Sequence, residues 1–216
     1  MITLGLDPSI TGFGWCIHDS EAEGPARVVA KGVWKTSPKT IFVVRYMELR
    51  ESLCQLLDQH LEVQAVGVES PPMGEQWSEG LYGLFIVVNE AVYTHRKDVV
   101  YFDPLTIKML VKGDPKLHPG KMFKTDMVQA ARADTEIKGQ FNHNEADAYH
   151  LARFTARFWS LFSGVLDTDD LTPSELQAFS KVHTFVRGKR AGETVFKGAI
   201  FKENKRFFRF SLIPKD

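Results

Sequence analysis

Three acids in this chain sit where acids can do chemistry. Asp7 ends the apolar run Ile2 to Leu6, and Pro8, Ser9, Thr11 and Gly12 then supply a turn. Glu69 ends a second β-type run, Ala65 to Val68, and Ser70-Pro71-Pro72 follows at once. Asp147 lies one turn into the stretch His143 to Phe162, whose other face carries Ala148, Leu151, Ala152, Thr155, Phe158, Trp159 and Phe162. Carboxylates delivered to strand ends are costly to gather unless something cationic meets them, and hard oxygen ligands suit a divalent metal. Helical spacing puts His143 and Asn144 on the face of Asp147, together with His150 and Leu151, and turns Glu145 away. Blander roles stay open at this point: Asp7 capping its own turn, Asp147 complementing a helix dipole.

The elements that must position these acids are readable from periodicity. Phe13 to Ile17 returns after the turn as a second strand, and Arg27 to Trp34 closes an antiparallel meander. Ile41 to His60 has helical spacing of Val44, Met47, Leu49, Leu53, Leu56 and Leu57, and Gln76 to Arg96 is a second helix. Between them lies the strand that ends in Glu69, and Val99 to Phe102 is a fifth strand. Asp103-Pro104 starts a short helix, Lys124 to Ala133 another. A right-handed crossover from the meander lays the Glu69 strand parallel to the first strand and beside it, so Asp7 and Glu69 leave the sheet at one edge.

Composition constrains the whole. The chain has 216 residues with 44% hydrophobic and 25% charged content, enough for a substantial core in an ordinary globular protein. Its formal net charge is zero, but Lys181 to Asp216 holds ten Lys and Arg against three Asp and Glu, leaving residues 1 to 180 acidic. Cys16 and Cys54 sit in apolar settings without metal-ligand spacing and read as free thiols of a reducing compartment. No basic leader with a long apolar run opens the chain, and a cytoplasmic protein is expected.

The stretches GLDPSITGFGW, AVGVES, DPLTIKMLVKG, GKMFKTDMV and HNEADAYHLA, in this order, resemble the RuvC family of Holliday-junction resolvases over roughly residues 1 to 160. The resemblance implies an α/β, RNase H-like fold with a mixed five-stranded sheet, its first three strands antiparallel and the rest parallel, flanked by helices. It also implies a homodimer that cuts branched DNA such as four-way junctions by two-metal hydrolysis, with two Mg²⁺ ions for which Mn²⁺ would substitute. Carried over by position, Asp7, Glu69 and Asp147 are metal ligands, and Lys108 and Lys124 meet phosphate near the cut; Lys121 is expected to bind DNA beside them.

The sequence departs from the family at two places. Three residues before the last aspartate the family often has Asp and sometimes His, whereas this chain has Asn144. Either Asn144 offers a neutral oxygen, or His143 completes the metal site, the reading preferred here. Where several relatives carry an aromatic that enters the junction centre, this chain has Pro72; Met73 or Trp77 on the same loop could contact DNA instead, or pack the loop.

The expected division is a nuclease domain over residues 1–163 and an extension over 164–216, with a short helix and a basic, Phe-rich hairpin of Thr194 to Ile200 with Arg206 to Ile213. Arg206 and Arg209 among its aromatics suit a nucleic-acid surface, or the Phe residues pack the extension onto the body. Two rival classes are an actin-like or sugar-kinase-like ATPase, which shares the sheet topology, and an inactive branched-DNA-binding module. The chain is short for the first, while Asn144 keeps the second open.

Overall fold

The computed structural model describes residues 1–71, 79–113, 122–137 and 141–179, and, beyond these, Gly188 and the backbone of four short strands. A meander comes first: β1 (Ile2–Asp7), β2 (Phe13–Asp19) and β3 (Val28–Trp34), paired antiparallel. Helix α1 (Phe42–Gln59) then crosses to β4 (Ala65–Glu69), and α2 (Glu79–Thr94) to β5 (Asp98–Phe102), both strands parallel to β1. Helices α3 (Pro104–Lys112), α4 (Lys124–Thr135) and α5 (His143–Phe162) follow. This is the mixed sheet the sequence implies, in the order β3-β2-β1-β4-β5.

Each face of the sheet is covered by helices that bury one stripe. On one side Leu49, Leu53, Leu57, Leu84, Val88 and Val92 of α1 and α2 meet Leu4, Leu6, Val66 and Val68. On the other, α5 lies across β1, β2 and β4, with Leu151, Phe154 and Phe158 packed on Val100 and Phe102. The approach of α5 is set by glycine. Gly5 of β1 stands opposite Gly67 of β4. A Cβ on Gly5 would lie 1.9 Å from the Ala148 carbonyl oxygen, and one on Gly67 2.0 Å from Thr155 Oγ1. The helix backbone therefore rests in a trough made by absent side chains, and Thr3 Oγ1 adds a hydrogen bond to the Ala152 carbonyl at 2.9 Å.

A polar cluster closes the outer end of this layer. Tyr149 donates to Asp134, which also pairs with Arg27 at 2.9 Å and Arg153 at 3.3 Å. His18 and His150 are buried beside it, and burial lowers the pKa of each to about 4, so both are neutral at pH 7. Stability from these two groups is present above the ordinary histidine value and is lost as pH falls from there towards 4.

Past α5, helix α6 (Pro173–Phe179) sits against α3 and α5 through Phe179 on Phe158 and an Arg157 Nε to Glu175 bond of 2.8 Å. The strands beyond it pair differently from the sequence expectation. β6 (Val182–Thr184) pairs with β7 (Thr194–Phe196), while β8 (Ile200–Glu203) and β9 (Arg206–Arg209) form the hairpin. β8 then joins β5 antiparallel, Tyr101 opposite Ile200, and the sheet reaches seven strands. The outer side of β5 is an open row of backbone donors and acceptors, and the hairpin covers it. Cys16 is buried, Cys54 half-buried, and neither is in a disulfide. Among the described residues no helix is long and apolar enough to cross a membrane.

Candidate active site

The carboxyl ends of β1 and β4 set the site. Leu6 is opposite Val68 in the parallel pair, so the next residues, Asp7 and Glu69, leave neighbouring strands side by side. Asp147 arrives from the first turns of α5, placed there by the glycine trough beneath Ala148. Asn142 caps this helix by accepting from Glu145 N, and Glu145 accepts from Asn142 N in return.

The electrostatics record how the three acids meet. Burial and the nearby Asp147 push Asp7 up to about 7; burial, Asp7 and Asp147 push Glu69 up to about 8. Asp147 is raised too, mainly by burial. Each residue keeps a water-facing edge, but most of its surroundings are protein. Cations oppose these rises: Lys124, first residue of α4, acts on Asp7 and Asp147, and Lys108 of α3 acts on Glu69 and Asp147. His143 is exposed beside Asp147 and acts on it in the same direction.

Asn144 is placed differently. Its Nδ2 donates to the Gly12 carbonyl in the β1–β2 turn, at 2.8 Å. Lys121, Met73 and Trp77 lie outside the described residues, and of Arg206 and Arg209 only the backbone is described. Asp103, read from sequence only as a helix cap, does cap α3 through Leu105 N at 2.8 Å, and its charge also reaches Glu69. An acid directly after β5, in the strand that flanks β4, was the available signal. A recess bounded by Pro8, Ser70, Pro71, Leu81 and Phe85 opens against Glu69.

The chain superposes on solved structures over most of its length. RuvC of Thermus thermophilus is similar at 23% identity and a TM-score of 0.60, over 74% of this chain and 97% of that one. The fold is that of RuvC. RuvC of T. thermophilus in complex with Holliday junction substrate is similar at 20% identity and a TM-score of 0.58, over 73% and 96% of the two chains. No family model and no curated protein matches the sequence.

The donor chemistry at this RuvC-like sheet edge fits a divalent metal. Carboxylates that hold protons to about 7 and 8 are short of positive charge, and a cation would supply it. Among the described residues no three His, Cys, Asp or Glu side chains stand close enough to hold an ion as placed.

Proposed function

We propose that the protein is a structure-specific DNA endonuclease that cuts branched DNA such as four-way junctions. One observation carries this reading: Asp7, Glu69 and Asp147 gather at one edge of a RuvC-like sheet, where burial raises the proton affinity of all three, Asp147 adds to it at Asp7 and Glu69, and Asp7 adds to it at Glu69. Under it, Asp7, Glu69, Asp147 and His143 hold two Mg²⁺ ions, or Mn²⁺ in their place. When bound, such ions activate water and neutralise the leaving 3′ oxygen. Lys108 and Lys124 orient the phosphate from α3 and α4 and offset the charge that develops on it. The T. thermophilus protein's complex with Holliday junction substrate supports the substrate class. Exposed Phe42, Val43 and Met47 on α1 and Tyr82, Ile86 and Tyr93 on α2 support a homodimer, which would present two sites to two strands.

The test is a labelled four-way junction with Mg²⁺. Paired nicks on opposed strands are expected; ATP hydrolysis without nicking would replace this reading with the kinase-like one, and binding alone with the inactive module.

The nuclease body is assigned to residues 1–163 and the extension to 164–216. The surplus of seven positive charges between Lys181 and Asp216 exceeds what solubility requires, and we assign Arg206 and Arg209 to DNA phosphates. Replacing both by Gln, which keeps the β8–β9 pairing, is expected to make the fall of log affinity with log salt shallower by about 1.8, at about 0.9 per phosphate contact. An unchanged slope would make the hairpin a brace for β5 and nothing more.

A further inference from the structure

The Nδ2 end of the Asn144 amide is already engaged. Only an N–H can approach a carbonyl oxygen as a hydrogen-bond partner, so the 2.8 Å contact with Gly12 O fixes Nδ2 on that side. The contact is tight in two further ways. A Cβ on Gly12 would stand 2.8 Å from the same Nδ2, and one on Gly14 would stand 2.2 Å from the Asn144 backbone oxygen and 3.0 Å from its Cβ. Gly12 belongs to the turn that begins at Asp7, and Gly14 faces Asp7 across the β1–β2 pair. Asn144 precedes Asp147 by three residues, close to one turn of α5. Two glycines and one amide thus join the loop behind the first acid to the helix that carries the third.

We propose that Asn144 is a positioning residue: through its Nδ2 it ties the Asp7 turn to the Asp147 helix and so sets the spacing of the two acids. The proposal rests on the reading of Asp7, Glu69 and Asp147 as a metal site. An ionised aspartate at position 144 has no donor to offer Gly12 O and would set two acceptors against each other. The acid that the family often uses at this position is therefore incompatible with the contact made here.

The test uses full-length protein with and without Mn²⁺. In the metal-free protein, Asn144→Ala and Asn144→Asp are both expected to melt below wild type. Asn144→Ser, a small change that keeps a donor, is expected between Ala and wild type and remains usable if the others fail to fold. Mn²⁺ affinity, read by electron paramagnetic resonance well below each melting point, is expected to fall about tenfold in Asn144→Ala, the lower end of what loss of an orienting partner costs. In Asn144→Asp it is expected not to exceed wild type. A purely structural contact would lower melting and leave Mn²⁺ affinity unchanged, and that result overturns the proposal. Tighter Mn²⁺ binding by Asn144→Asp, or wild-type melting of Asn144→Ala, overturns it as well. Wild-type protein that bound no Mn²⁺ would remove the metal-site reading together with the role built on it, while lowered melting would still report the tether.

Discussion

Asp7→Asn is expected to cut junction cleavage by on the order of 10³-fold, the scale of losing a preorganised electrostatic group from a water-poor site. Junction binding is expected to stay as it is or to tighten, because one negative charge leaves the place where phosphate must approach. The same substitution is expected to stabilise the metal-free protein. Asp7 and Glu69 hold protons up to about 7 and 8, far above ordinary carboxylates. The folded protein thus binds more protons than the unfolded chain between pH 4 and pH 8, and stability falls as pH rises through that window. Removing Asp7 takes away a charge disfavoured first by burial and then by repulsion from its neighbours, so the gain is larger at pH 8 than at pH 5. A tenfold change in proton affinity is about 1.4 kcal/mol, so a gain of roughly 2 kcal/mol, or about 4–8 °C, is expected at pH 8. Melting curves without metal at the two pH values check this arm. Cleavage within a few-fold of wild type would remove Asp7 from the site.

The parts of the site that local pattern encodes were legible before the structure. Asp7 and Glu69 end β-type runs, and the handedness of the crossover sets their strands side by side, as the Leu6–Val68 register shows. Asp103-Pro104 announces the start of α3 by an Asx cap and a proline, and the cap is present. Contacts between distant segments were not legible. Nothing local to Asn144 says that its amide is turned to Gly12, 132 residues away in the chain. The hairpin was misplaced for a related reason. Thr194 to Ile213 mixes Lys, Arg and Phe without clean alternation, so its period does not choose among pairings. The choice falls instead to the open side of β5, against which Ile200–Glu203 pairs, and Thr194–Phe196 turns to Val182–Thr184.

Gly5→Ala is expected to disrupt the fold more than its single methyl group suggests, because the obstacle is backbone. The new Cβ would lie 1.9 Å from the Ala148 carbonyl oxygen and 2.5 Å from the Ala152 amide nitrogen, atoms that cannot rotate aside. Helix α5 must lift off β1, opening a gap under Leu151 and Ala148 and straining the Thr3 to Ala152 hydrogen bond. Overpacking of this kind together with a disrupted core belongs among the rare single changes that cost more than about 4 kcal/mol. Gly67→Ala meets a side chain first, Thr155 Oγ1 at 2.0 Å, but also the Leu151 carbonyl oxygen at 2.7 Å, and is expected to cost less. Gly113→Ala is the control: nothing lies within 4 Å, so only its positive φ of 72° opposes the change, at about 1–3 kcal/mol. Chemical denaturation ranks the three. Since α5 carries Asp147, its displacement also separates Asp147 from Asp7, so any folded Gly5→Ala protein is expected to lose cleavage. Gly5→Ala with near-wild-type stability would show that α5 does not rest on the β1–β4 trough.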